Sequence, residues 1–204
     1  SLCLKAAAKL GIQPECVVAG NGSSELLYAV PRVAFARGLR RAVLPVPCYG
    51  DYARASRAAG LAVATLPLMA ENGFALDWEA LDKLLVEPAL AILGQPGNPA
   101  GMLFDPGRLL QCTARHPRCI FLVDEAFADF VVGLRRLGGI IRPNLFVLHS
   151  LTKFYAVAGL RLGLGYGPAD ICAEIAALLP DWSVNAPALA VGLAALDDDD
   201  YARR

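Results

Sequence analysis

The sequence lacks several features, and each lack excludes something. Its six cysteines, at positions 3, 16, 48, 112, 119 and 172, form no CxxC pair and no zinc-site spacing, so no metal is expected. A chain of this length buries its own core without disulfides, so reduced thiols and a cytoplasmic setting are the simple reading. Charge is scarce and balanced, 19 basic against 19 acidic residues, which leaves no electrostatic footprint for nucleic acid or an anionic membrane. No uninterrupted apolar run reaches membrane-spanning length. The opening Ser1-Leu2-Cys3-Leu4-Lys5 has helical character and no signal-peptide layout. The one charge run, residues 197–200, reads as a solvated helix start or a surface turn, with a metal site as the minor alternative. Internal repeats and low-complexity linkers are missing too.

What the sequence has is core. Hydrophobic residues make up 56% of it, and short apolar runs alternate with helical segments. Residues 16–19, 42–45, 62–66, 90–93, 120–123, 145–148 and 162–166 read as strands. Most are apolar on both faces, as strands covered on both sides by helices must be. Residues 23–37, 51–59, 77–85, 106–114 and 168–178 read as helices between them. The alternation predicts a three-layer αβα domain on a mainly parallel sheet. Pro31 should cost the first of these helices a hydrogen bond and bend it. Residues 131–143 read as an exposed connection, and His116, beside Pro117, as surface.

In such a sheet, ligands bind beyond the carboxyl ends of the strands, and here those ends are polar. Gly20-Asn21-Gly22-Ser23-Ser24-Glu25 leaves a strand and opens a helix. Glycines, free helix N–H groups and hydroxyls make a phosphate cradle, although Ser23 or Ser24 could equally be a helix cap. Tyr49, after the second strand, could lay its ring on a flat cofactor or simply pack. Gly94-Gln95-Pro96-Gly97-Asn98-Pro99-Ala100-Gly101 is a dense turn that can hold the Asn98 amide in one direction, or use it only as a turn former. Asp124-Glu125 ends an apolar strand, where a buried carboxylate needs a partner such as a protonated ring nitrogen. Ser150-Leu151-Thr152-Lys153 sets an amine among hydroxyls and aromatics, and Arg161 adds a permanent charge suited to phosphate. His149, next to Ser150, could approach the same region.

In this order, over essentially the whole chain, these residues resemble the fold-type-I pyridoxal-phosphate (PLP) enzymes of the class I/II aminotransferase superfamily. The resemblance implies that residues 1–204 are the PLP-binding large domain, with an N-terminal arm and most of a C-terminal small domain outside this sequence. It implies that Lys153 holds the cofactor covalently and later moves a proton. Asp124 would pair with the pyridine nitrogen, Asn98 would hydrogen-bond O3′, and Tyr49 would stack on the ring. Ser23, Ser150 and Arg161 would bind the phosphate with the N–H groups of Gly22 and Ser23, and Ser24 would be a further contact. A homodimer with active sites at the subunit interface is implied as well.

The sequence departs from the commonest family pattern twice. Gln95-Pro96-Gly97-Asn98-Pro99-Ala100-Gly101 stands where Asn-Pro-Asn-Asn-Pro-Thr-Gly is usual, and Phe127 stands where a Tyr hydroxyl usually reaches O3′. Asp-Glu-Ala-Phe, Ser-Leu-Thr-Lys-Phe-Tyr-Ala and Trp182-Ser183-Val184-Asn185 are similar to the threonine-phosphate decarboxylases of cobalamin biosynthesis, which act on a phosphorylated amino acid. The rival implied activity is that of their relatives, the histidinol-phosphate aminotransferases. A non-catalytic PLP-binding relative is a third reading. Trp182 and Asn185 would line the substrate site or belong to an inter-domain hinge.

Overall fold

The computed structural model describes residues 1–201, so the last three residues of the expected 1–204 domain lie outside the described residues. Seven strands form one sheet: β1 (Val17–Asn21), β2 (Arg41–Val46), β3 (Ala62–Pro67), β4 (Leu90–Gly94), β5 (Ile120–Asp124), β6 (Leu145–Ser150) and β7 (Leu162–Tyr166). Their spatial order is β1-β7-β6-β5-β4-β2-β3. β7 runs antiparallel to both its neighbours, and the remaining pairs are parallel. The expected αβα architecture on a mainly parallel sheet is the one observed.

Strict alternation along the strands builds the layers. Leu90, Ile92, Ile120, Leu122, Phe146 and Leu148 join a core with α2 (Ser23–Ala36), α3 (Gly50–Ala58) and α7 (Ala169–Leu178). Ala91, Leu93, Phe121, Val123, Leu145 and Val147 join the opposite core. That core packs against α1 (Leu2–Leu10), α4 (Trp78–Leu84), α5 (Pro106–Arg115), the short α6 (Leu151–Phe154) and α8 (Ala186–Asp197). Each fully buried Leu or Phe in these layers contributes about 1.5–3 kcal/mol relative to exposure. Continued past Val123, the same parity sends Asp124 toward α3 and Glu125 toward the α1–α8 face.

Three local expectations are corrected. Of the two readings of the aspartate run, the helix start is wrong and the surface turn is observed: Asp197 closes α8 and pairs with Lys5, and the exposed residues 199–200 form a turn in which Asp199 meets Lys9 at 2.7 Å. The 131–143 connection is not wholly exposed, because Leu137 is fully buried. The cause is Glu125, whose carboxylate is fully buried and takes the Leu137 N–H at 2.8 Å and Arg136 Nε at 2.8 Å, drawing the loop inward. His116 is mostly buried and bonds Asp82 at 2.8 Å. Pro31 lies buried inside α2, which continues unbroken around it.

Candidate active site

Strand direction gathers the polar residues. The parallel strands β4, β5 and β6 deliver Gly94, Asp124 and Ser150 to one edge of the sheet. β7 runs the other way, so the residue before it, Arg161, reaches that same edge: Gly163 sits level with Ser150 on one side and with Gly20 on the other. Between these termini lies a cavity of about 100 Å³. Its walls include Ser23, Ser24, Tyr49, Asn98, Asp124 and Phe127. Ser150, Lys153 and Arg161 line it too; Gly22, also predicted as a cofactor contact, is not among its walls, and Thr152 and Ala126 join them without having been singled out in the sequence.

The phosphate-cradle side is built on close backbone approach. Gly22 has φ 78° and stands at the N-cap of α2, and a Cβ there would lie 2.4 Å from the Arg161 guanidinium. A Cβ on Gly163 would fall 2.2 Å from the Ser23 nitrogen. Both positions therefore admit only glycine without rearrangement. Arg161 itself is left-handed, φ 57°, and its guanidinium meets the Ala158 carbonyl at 3.2 Å rather than a carboxylate. Ser150 and Thr152 share a hydroxyl–hydroxyl bond of 2.8 Å. Gly163→Ala is expected to lose about 3 kcal/mol or more of stability, because the clash is with backbone. Urea denaturation checks this, and an unchanged midpoint would refute the close approach.

On the opposite side, Asp124 accepts the Tyr52 hydroxyl at 2.8 Å and the Ala126 N–H at 3.0 Å. Burial pushes its carboxyl pKa up, and these two donors and the nearby Lys153 charge only partly pull it back. Tyr52, fully buried on the first turn of α3, stays a donor because burial and Asp124 raise its own pKa well above the ordinary value. Three residues earlier, Tyr49 leaves its ring over the cavity, edge-on to Tyr52 at 5.6 Å. The link from Tyr52 to Asp124 was not legible in sequence. Only the i,i+3 spacing from Tyr49 hinted that both face one site.

The signs can be worked through. The folded pKa of Asp124 lies above its unfolded value, so the folded state holds more protons. Stability of cofactor-free protein therefore falls as pH rises from the ordinary aspartate range through the folded value. Tyr52→Phe removes a donor to the charged form. It should extend that loss to higher pH, by about 1.5–3 kcal/mol once Asp124 is ionised. Denaturation midpoints across a pH series test it, and superimposable profiles would remove Tyr52 from this role.

Asn98 sits in a turn fastened at several points. Gly97 N–H donates to Met102 O at 2.8 Å. The fully buried Gln95 amide makes two bonds to the Phe104 backbone, at 2.8 and 3.0 Å. Gln95, one of the departures from the usual pattern, thus acts as the turn's anchor. Phe127, the other, presents an unsubstituted ring to the cavity. Trp182 and Asn185 are not among the cavity's walls. Trp182 is 93% exposed, and Asn185 caps α8 through Ala188 N at 2.8 Å and donates to Leu160 O at 3.1 Å, buttressing the turn before Arg161. His149 points away, bonding Asp129 at 2.7 Å and Tyr166 at 3.2 Å.

A family model described as aminotransferase class I and II matches residues 2–203. The chain belongs to that family. It is 38% identical over 202 residues to the threonine-phosphate decarboxylase of Pseudomonas aeruginosa, covering 98% of this chain and 57% of that protein. It is 36% identical over 201 residues to the histidinol-phosphate aminotransferase of Nitratidesulfovibrio vulgaris (strain DP4), covering 94% and 52%. The solved histidinol-phosphate aminotransferase of Clostridium acetobutylicum superposes with a TM-score of 0.89 at 25% identity, over 99% of this chain and 60% of that one. The chain thus spans only about half the length of these two curated relatives. Class I and II aminotransferases are PLP-dependent, and the cavity fits the cofactor. It offers a buried carboxylate with hydrogen-bond donors but too little positive charge to bring its pKa down to the ordinary range, an arginine with no carboxylate bonded to it among the described residues beside a glycine-lined helix start, and one lysine. No helix among the described residues is long and apolar enough to cross a membrane.

Proposed function

We propose that these residues form the PLP-binding large domain of an enzyme that decarboxylates a phosphorylated amino acid, O-phospho-L-threonine. Phe127 carries the choice of branch. It lines the cavity where the aminotransferases usually place a tyrosine hydroxyl, and the threonine-phosphate decarboxylase of Pseudomonas aeruginosa matches across nearly the whole chain. When bound, PLP supplies an electron sink that weakens whichever Cα bond stands perpendicular to its ring.

The chain's own residues supply the rest. Arg161, Ser23 and Ser150, with the N–H groups of Gly22 and Ser23 and with Ser24 behind them, would anchor the phosphate and fix where the ring lies. Tyr49 would cover one face, and Asn98, held by its turn, would fix the rotation about the anchor. Asp124 would hold positive charge on the ring nitrogen, which also relieves the cost of burying an unpaired carboxylate. The Lys153 amine, on the turn after β6, would take or give the proton at the substrate carbon. Which bond is made perpendicular is a matter of substrate orientation. Trp182 and Asn185 would act there only as part of the hinge toward the rest of the protein. The working unit would be a cytoplasmic homodimer.

The second reading is transamination of histidinol phosphate, favoured by the 36% identity to an enzyme of that name. Full-length, PLP-loaded protein given O-phospho-L-threonine is expected to release one CO₂ per aminopropanol phosphate formed. No CO₂, but amino transfer to 2-oxoglutarate from histidinol phosphate supplied in its place, would replace the decarboxylase reading with the second one.

A further inference from the structure

At the other end of the sheet, below the start of β5, three donors of different chemistry converge from two helices. Asp82 comes from α4, and Cys112 and His116 come from successive turns of α5 and its C-cap. Spacing of i and i+4 puts Cys112 and His116 on one helix face. Their ligand atoms and an Asp82 carboxylate oxygen all lie within 4.8 Å of one another. Asp82 Oδ1 is 3.4 Å from Cys112 Sγ and 2.8 Å from His116 Nε2. We propose that Asp82, Cys112 and His116 are a binding site for a thiolate-preferring divalent cation, Zn²⁺, which ties α4 to α5.

The donor set suits that ion. Thiolate, imidazole and carboxylate bind Zn²⁺ at about 2.0–2.3 Å in a tetrahedron, so neighbouring ligand atoms stand roughly 3.3–3.8 Å apart. The Asp82–Cys112 pair already has that separation, and the Asp82–His116 pair must open by about 0.5 Å. The backbone beneath is prearranged. The buried Asn144 amide donates to the carbonyls of Thr113, His116 and Cys119 at 3.0–3.1 Å, fixing the turn that carries His116. Cys112 is fully buried, while the His116 side chain keeps 14% exposure, which leaves a way in for the ion and for a water as fourth ligand.

One competitor is present. Arg115 Nη2 bonds both oxygens of Asp82, at 3.0 and 2.8 Å. The Arg115 side chain is 48% exposed, so it can turn to water at small cost when the ion arrives. On binding, the S–H bond of Cys112 breaks and its proton goes to solvent, the proton that His116 Nε2 donates to Asp82 moves to Nδ1 or to solvent, and the Sγ–metal and Nε2–metal bonds form; nothing is oxidised or reduced. Thiolate and carboxylate then balance the ion's two charges. The site lies at the end of the strands away from the cavity, so it acts on stability and not on the reacting groups. Its ligands come from separate helices, so no cysteine spacing reveals it, and it departs from the expectation of a metal-free chain.

The test is titration of metal-free, PLP-loaded, full-length protein with Co²⁺. One equivalent should produce a thiolate-to-cobalt charge-transfer band that Zn²⁺ abolishes. Cys112→Ser should lack the band, and His116→Gln should bind at least about tenfold more weakly. Arg115→Ala leaves the three ligands intact and frees Asp82, so it should bind about two- to fivefold more tightly. A missing band in the unaltered protein, a band that survives Cys112→Ser, or weaker binding in Arg115→Ala would each overturn the proposal and leave a hydrogen-bonded helix contact.

Discussion

Full-length protein carrying Lys153→Ala, supplied with PLP, should yield no borohydride-trapped cofactor adduct and should turn over about 10²–10⁴-fold more slowly, or not at all. The expectation rests on elimination as well as position. The chain has four lysines. Lys5 and Lys9 are paired with Asp197 and Asp199 on the α1–α8 face, and Lys83 lies on α4. Lys153 alone borders the cavity, on the helical turn that follows Ser150. Lys153→Arg should fail equally, since it keeps the charge but offers no deprotonated amine at neutral pH. An adduct that maps to another lysine, or persists in Lys153→Ala, would place the chemistry elsewhere.

The second large effect belongs to Asp124. Asp124→Asn keeps the shape, and its single carbonyl oxygen can still accept the Ala126 N–H while the Tyr52 hydroxyl turns to accept from the amide nitrogen, but it cannot hold a charge on a ring nitrogen. Turnover should fall about 10²–10³-fold, the usual cost of removing one placed electrostatic partner. Stability of the cofactor-free protein should move the other way. The native carboxylate is buried with its pKa pushed up, so a neutral amide should abolish the loss of stability toward high pH described for this residue. That opposite pair of outcomes separates a carboxylate kept for its charge from one kept for the fold. Turnover within about threefold of the native enzyme would sink the assignment.

The central strands were legible because strands buried on both faces read as uninterrupted apolar runs, and the edge strand β3, largely exposed, stood out between polar turns by its apolar composition alone. Helices with clear polar faces, such as α3 and α5, were legible for the matching reason. α8 was not, because its Ala- and Leu-rich sequence is apolar almost all round and carries no periodic signal. The candidate site was legible wherever a residue ends a strand or stands on the turn just beyond it, as Asp124, Ser150 and Lys153 do. It was not legible where the partner arrives through tertiary packing. Nothing local says that Tyr52 reaches Asp124, that Gln95 fastens the turn holding Asn98, or that Arg136 folds back onto Glu125. Those contacts answer demands that exist only once the sheet is formed, namely buried acids and carbonyls seeking donors.

Asp124 and Glu125 are neighbours in the chain, yet one serves the cavity and the other clasps Arg136 behind the sheet. β5 is therefore intolerant of changes in length by single residues. Deleting one residue from Phe121-Leu122-Val123 would exchange the two acids between faces, sending a longer carboxylate into the cavity and a shorter one toward Arg136. Loss of a pair would keep the faces right while shortening the strand. Homologous chains that differ in length here should do so in steps of two, and a one-residue gap aligned within this strand marks a misalignment.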